Sequence, residues 1–161
     1  MESDSLSPYD INEEESLDYT FINRDGIKYH ASFYSVEPLY PQFKNTYSFS
    51  IEPEDNKAHP IDRRISVTIA EILRRFFSIN INAMIMVCDS TDGKEFKRRK
   101  LFDRWFEHFS DNTILKYDAS APLDEYQLFI SLYMNRNNPN KESLLQAFSK
   151  LMEQDLYCLG I

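Results

Sequence analysis

The stretch that decides the fold runs from Ala83 to Phe109 and reads AMIMVCDSTDGKEFKRRKLFDRWFEHF. It opens as a continuous apolar run, turns through a polar corner at residues 88–93, and continues into a basic segment. A short, wholly apolar run is typical of a central strand that is covered on both faces. The large apolar residues of the basic segment share one helical face: Phe102, Trp105, Phe106 and Phe109. The stretch therefore predicts a strand, a tight turn and a helix.

The flanking sequence extends this unit into an α+β domain. Alternating residues predict strands at 19–23, 27–36 and 47–51, the first two joined by a hairpin turn at Gly26. Helical spacing predicts a helix from about Asp62 with one buried stripe: Ile65, Ile69, Ile72, Leu73 and Phe76. Two more strands, 113–118 and 126–135, precede the last helix. The segment Asn138-Pro139-Asn140 is predicted to start this helix, with an asparagine as its cap and Pro139 as its first residue. That last helix buries Leu144, Leu145, Phe148, Leu151 and Met152. The predicted order is βββαβαββα, a mostly antiparallel sheet of about six strands with three helices.

Charge divides the chain of 161 residues into two parts. Residues 1–20 hold seven acids and no base, whereas the remainder carries 19 acids and 18 bases. The acidic start is broken by Pro8, so we expect residues 1–18 to be a flexible acidic segment and residues 19–161 to form a single α+β domain. Within the domain, residues 94–104 hold six bases and two acids, which favours attraction between this segment and the acidic start.

Several function classes are disfavoured by what the sequence lacks. No apolar run approaches a membrane span, and the first residues do not resemble a signal peptide, so we expect a cytoplasmic protein with no membrane partner. Cys88 and Cys158 lie far apart and are interpreted as free thiols. The three histidines lack zinc-site spacing, and three glycines leave little material for phosphate loops. We therefore expect no metal and no cofactor.

The polar corner is the place where a ligand is most expected. A strand ends and a helix starts there, and the unpaired N–H groups and dipole of the helix favour an anion. The side chains of this candidate anion or interaction corner are Asp89, Ser90, Thr91, Asp92, Lys94, Arg98 and Arg99.

Two interpretations of the corner stay open. In one, Arg98 and Arg99 hold a phosphate or carboxylate. In the other, Asp89 and Asp92, joined by Asp62, pair with the arginines and latch the strand to the helix. The latch is favoured, because its carboxylates are already present in the sequence. The spacing of the aspartates matches no phosphoryl-transfer or metal motif, so no residue is assigned a catalytic role and an enzyme is disfavoured.

A second candidate surface is basic. If the first two helices pack side by side, one face collects Lys97, Lys100, Arg104, Arg63, Arg64, Arg74 and Arg75. Such a surface could follow a nucleic-acid backbone. The acidic balance of the chain, with a pI near 4.9, argues instead for a solvated helix face.

Several segments resemble one protein family. They are Tyr47-Ser48-Phe49-Ser50-Ile51, Asp62-Arg63-Arg64-Ile65 with Thr68-Ile69, Cys88 to Gly93 running into Arg98 to Phe106, and Asn137-Asn138-Pro139-Asn140. On these segments the chain is similar to domain-of-unknown-function family 6169, small bacterial proteins seen mainly in Bacteroidota. The likeness covers about residues 19–152, and its most specific part is the corner with the following Trp105-Phe106. The resemblance implies a bacterial, cytosolic protein and no particular activity.

The lack of a catalytic or cofactor motif and the uneven distribution of charge together favour a non-catalytic protein that binds another macromolecule. We expect an accessory, immunity or antitoxin-like protein with a protein partner. Two alternatives stay open. One is nucleic-acid binding through the basic helix faces, and the other is a phosphate-ligand or phosphoryl-transfer site at the corner after Cys88.

Overall fold

The structure is a computed structural model that describes residues 6–89, 100–101, 103–107, 112–123 and 126–153. Within these residues it contains seven strands and three helices. In chain order they are β1 (Asn12–Glu15), β2 (Asp18–Ile22), β3 (Lys28–Ser35), β4 (Thr46–Pro53), α1 (Arg63–Phe77), β5 (Ala83–Asp89), α2 (100–101 and 103–107), β6 (Ile114–Leu123), β7 (Tyr126–Asn135) and α3 (Lys141–Glu153).

The strands form one sheet in the order β1-β2-β3-β4-β5-β7-β6. Every neighbouring pair is antiparallel except β4 and β5, which are parallel and are connected through α1. The prediction of an α+β fold with a mostly antiparallel sheet is confirmed. The sheet has one strand more than the sequence pattern predicts, namely β1 at its edge.

The extra strand belongs to a segment that composition had placed outside the domain. Its residues are all exposed and acidic or amide, so it joins the sheet through backbone hydrogen bonds to β2 without burying a side chain. Upstream of it, Tyr9 is buried and its ring lies parallel to that of Phe21, with the ring centroids 6.2 Å apart. The structure therefore pairs β1 with the sheet and packs Tyr9 against its core, upstream of the domain boundary predicted near residue 18.

Helices cover the sheet on both faces. α1 and α2 pack on one face, where the core includes Phe21, Phe33, Phe76, Met84 and Trp105. α3 packs on the other face, at the β5-β7-β6 end. The core there is formed by Phe43, Ala83, Ile85, Leu128, Ile130, Leu132, Met134, Leu144, Ala147, Phe148 and Leu151. Residues of β5 alternate between the two cores, as expected for a central strand with a helix layer on each side.

α1 has the buried stripe that its periodicity predicts. All five stripe residues are buried, and Phe76 stacks on Phe33 with ring centroids 4.1 Å apart. α2 contacts α1 through Trp105, whose Nε1–H donates to Ser66 Oγ at 3.4 Å.

The start of α3 differs from the prediction. α3 begins at Lys141, so Pro139 precedes the helix. The side chain of Asn138 is buried, accepts the Asn140 N–H at 2.7 Å and donates to Ile81 O at 3.3 Å. It thus holds a turn ahead of the helix. Leu144, Phe148 and Leu151 are buried as predicted, whereas Leu145 is half-buried.

None of the helices within the described ranges has the length and apolar character that a membrane crossing requires.

The start of α1 depends on one carboxylate. Asp62 is the N-cap, and its oxygens accept the Ile65 N–H at 2.7 Å and the Tyr9 hydroxyl at 2.9 Å. We expect Asp62→Ala to lower the free energy of unfolding by about 1–2 kcal/mol, because both bonds are lost. Urea denaturation measures this change. Asp62→Asn is the control, because asparagine caps helices about as well, and an equal loss in both variants would contradict the capping role.

Candidate functional site

The pairing between β4 and β5 is short for the length of the two strands. The parallel pairing covers Thr46 with Ala83, Tyr47 with Met84 and Ser48 with Ile85, and it stops there although β4 continues to Pro53 and β5 to Asp89. Each strand keeps its antiparallel partner on the other side, since β4 pairs with β3 up to Pro53 and β5 pairs with β7 up to Asp89. The two halves of the sheet therefore separate along the carboxyl half of this seam.

A cleft of about 670 Å³ occupies the gap. Phe49, Ile51 and Met86 line it on the side of α1 and α2, together with Trp105 from α2. From the α3 side it is lined by residues of the second core, including Phe43, Ile85, Ile130 and Leu151. The cleft thus passes between the strands and reaches both faces of the sheet.

Beyond Ser48 and Ile85, the facing edges of the two strands lack a neighbouring strand among the described residues. A β-strand directs alternate N–H and C=O groups to each side. The cleft walls therefore combine apolar side chains with backbone hydrogen-bonding groups. An extended ligand could use both.

Tyr29 is one of the residues that line the cleft, and its hydroxyl is buried. It lies on β3 opposite Pro53, is 2% exposed, and stacks on Phe21 with ring centroids 5.3 Å apart. Among the described residues its Oη has no hydrogen-bond partner. Burial raises the pKa of Tyr29, and the charge of Asp62 adds to this effect, so the hydroxyl keeps its proton and can donate. An unpartnered buried donor is costly to the folded state.

Two residues of the loop after β4, Lys57 and His59, also line the cleft. Asp55 organises this loop: its carboxylate accepts the Lys57 N–H at 3.0 Å and lies 2.9 Å from His59 Nε2. These contacts hold the pKa of Asp55 below its usual value, the Lys57 N–H contributing most and the His59 hydrogen bond next. The Asp55 carboxylate is therefore already engaged within the loop.

The corner predicted from the sequence lies largely outside the described residues. Asp89 is the last residue of β5, where its backbone pairs with Leu128, and the other six residues of the predicted corner, from Ser90 to Arg99, are not described. Both interpretations of the corner stay predictions. Asp62, which the latch interpretation included, is engaged with Ile65 and Tyr9 at the start of α1.

The predicted basic surface is partly paired within the molecule. Arg74 and Arg75 both bond Glu71, at 2.7 and 3.0 Å. The Arg74 hydrogen bond contributes most to lowering the pKa of Glu71. Arg64 donates to the carbonyls of Ser7 and Pro8 and lies 4.1 Å above the Tyr9 ring.

The other members of that predicted surface are not tested by the described part of the chain, so the surface stays a prediction. Arg63, Lys100 and Arg104 are exposed, and Lys97 lies outside the described residues.

Sequence reasoning missed the cleft because none of its signals is local. Tyr29 follows the strand alternation, and its ring lies in the core as that pattern predicts. Lys57 and His59 sit in a stretch whose only signal is polarity. A register that ends at Ser48 depends on which strands pair, and the periodicity of a single strand carries no information on its partner.

Comparisons with known proteins identify a family. A family model described as "Family of unknown function (DUF6169)" matches residues 61–150. No curated protein matches the chain. A solved chain described as a CoA-dependent acyl-homoserine lactone synthase, MesI, is similar at 10% identity with a TM-score of 0.37, and the alignment covers 92% of this chain and 71% of that chain.

In the described part of the chain, His, Cys, Asp and Glu side chains do not form a group of three or more that could hold a metal ion.

The unpartnered hydroxyl generates a stability prediction. Tyr29→Phe keeps the ring stack and removes the buried donor, so we expect the free energy of unfolding to stay unchanged or to rise by about 1 kcal/mol. Thermal or urea denaturation measures it. Tyr34→Phe on the same strand is the control, because Tyr34 is 58% exposed and its hydroxyl reaches water. A loss of more than about 1 kcal/mol in Tyr29→Phe alone would show that the hydroxyl is bonded in the folded protein.

Proposed function

This chain belongs to the family of unknown function DUF6169, and we propose that it binds an elongated, largely apolar small molecule in the cleft between β4 and β5. The observation that carries the proposal is the end of the β4–β5 pairing at Ser48 and Ile85, with both strands continuing beyond it. A gap of that kind inside a sheet costs hydrogen bonds and apolar contacts, and a bound ligand restores both.

The size and lining of the cleft support a small molecule. Ligand pockets typically enclose about 300–1,000 Å³, are mainly apolar and carry a few placed polar groups. The volume of about 670 Å³ falls in this range, and the polar side chains that line it are few: Tyr29, Tyr40, Ser48, Ser50, Lys57, His59 and Trp105. Ligands of open sheets also collect at the carboxyl ends of parallel strands, which is where the seam is open.

The chain carries its own reporter of binding. Trp105 is the single tryptophan, it lines the cleft, and it is 1% exposed. We expect a saturable change in its fluorescence when decanol or decanoate is added below the concentration at which either forms micelles. Absence of a saturable change with both compounds would contradict the proposal.

A variant that fills the cleft locates the binding site. Val87→Phe enlarges a side chain that lines the cleft, so we expect it to weaken binding of both compounds by roughly tenfold or more, through lost volume. Ile22→Phe is the matched control, because Ile22 is also an exposed aliphatic residue on a strand and lies away from the cleft. Equal weakening in the two variants would place the binding elsewhere.

A second candidate function is the macromolecular binding that the sequence analysis favoured. It is supported by the face of β2–β4 that lies opposite α1, where a shallow polar surface is lined by Asp18, His30, Ser32, Tyr34, Glu52 and Glu54. Three of these side chains are acidic and Tyr34 is 58% exposed, which suits a protein partner with a basic surface.

Two substitutions test this second candidate. Tyr34→Ala combined with Glu52→Lys removes the exposed ring and reverses one charge, so a stoichiometric basic partner that is captured by the native chain should be lost. Fluorescence of Trp105 on addition of decanol should not change between native and variant chains, because neither residue lines the cleft. Capture that is equal for both chains would contradict this surface as the interface.

A further inference from the structure

We propose that the ligand of the cleft is an unbranched chain that passes through the sheet between β4 and β5, with an apolar middle and with its two ends in water at separate openings. This inference rests on the proposed function and adds to it the shape and the chemical class of the ligand. It is drawn from the exposure of lining residues on both faces of the sheet.

The cleft is open to solvent on each face of the sheet. On the α1 face, Ile61 directly precedes the cap of the helix, lines the cleft and is 41% exposed. On the α3 face, Val87 lines the cleft and is 40% exposed. Val87 is assigned to this face because it pairs with Ile130 of the core beneath α3, and directly paired residues share a face. A chain can therefore enter on one face and leave on the other.

Apolar side chains wall the cleft between these openings. The buried lining residues are at most 9% exposed and include Phe43, Ile85, Trp105, Ile130 and Leu151. Trp105 belongs to the core on the α1 face and the other four belong to the core on the α3 face, so the apolar walls continue through the sheet. Each CH₂ group buried against such walls should tighten binding about fourfold.

The buried middle offers no accessible charge to a polar head among the described residues. The Tyr29 hydroxyl is buried, and its burial, followed by the charges of three aspartates, raises its pKa, so an anion beside it is disfavoured. His59 is paired with Asp55, and Lys57 is exposed in its loop. Burying a polar group without a partner would weaken binding. The polar groups of the ligand therefore stay in water, outside the apolar middle.

The shape of the gap favours a single chain. The backbones of β4 and β5 bound it on two sides, and both strands continue beyond Ser48 and Ile85, where their pairing ends. Paired strands lie about 4.8 Å apart, so the gap widens from that spacing as a wedge. An unbranched chain suits a wedge of this kind, because it has a smaller cross-section than a branched or fused-ring molecule.

Dodecanol and the corresponding α,ω-diol test the two openings, with affinity measured by Trp105 fluorescence of the full chain. If the cleft has two openings, the second hydroxyl of the diol stays in water, so we expect the two compounds to bind within about threefold of each other. A diol that binds roughly tenfold or more weakly than dodecanol has its second hydroxyl buried. That result would overturn the passage through the sheet and leave the proposed function in place. No saturable binding of either compound would overturn both.

Contacts of the bound diol locate its ends. We expect nuclear Overhauser effects from its hydroxymethyl protons to the methyl groups of both Ile61 and Val87, because one end lies at each opening. Ile22 and Ile79 are the matched controls, since both are exposed aliphatic residues that do not line the cleft. Contacts with only one of Ile61 and Val87 would overturn the passage through the sheet even if the affinities are equal. Equal contacts with the controls would assign the binding to the general surface and also overturn it.

Discussion

The parallel junction of β4 and β5 is the constraint on which the rest of the structure depends. Each strand is held along its length by an antiparallel partner, β3 for β4 and β7 for β5, so the sheet consists of two antiparallel ribbons. The ribbons meet through only three residue pairs, which end at Ser48 and Ile85. Because twist and packing act on each ribbon as a unit, a short junction leaves the ribbons apart beyond it, and the cleft is the result.

Amide side chains fix the closed end of this junction. Asn82 donates to Phe76 O at 3.0 Å and Asn135 donates to Phe77 O at 3.4 Å, so carbonyls at the end of α1 are bonded by residues of the β5 ribbon. Asn138 donates to Ile81 O just before β5. Helix ends leave carbonyls that need such partners. The same bonds that complete α1 therefore tie it to the β5 ribbon at the end where β4 and β5 pair, and the cleft opens at the other end.

The sequence predicts the elements well because periodicity is local. The stripe from Ile65 to Phe76 and the apolar run of β5 appear in the structure where the pattern indicates them. β1 escaped prediction because its acidic residues bury nothing, and Tyr9 because a lone aromatic residue carries no period. The cleft escaped because it results from where a pairing stops. Tyr29 illustrates the difference between local and non-local information. Its ring follows the strand pattern, whereas the lack of a hydrogen-bond partner for its hydroxyl is seen only in the structure.

Interstrand contacts measured by NMR test the central claim most directly. The account predicts nuclear Overhauser effects between backbone protons of residues 46–48 and 83–85, and none between residues 50–52 and 86–88, in the chain without ligand. Backbone contacts across β3–β4 and β5–β7 should continue along the full strands. A parallel ladder that runs unbroken from Thr46 to Pro53 against β5 would contradict the cleft and everything inferred from it.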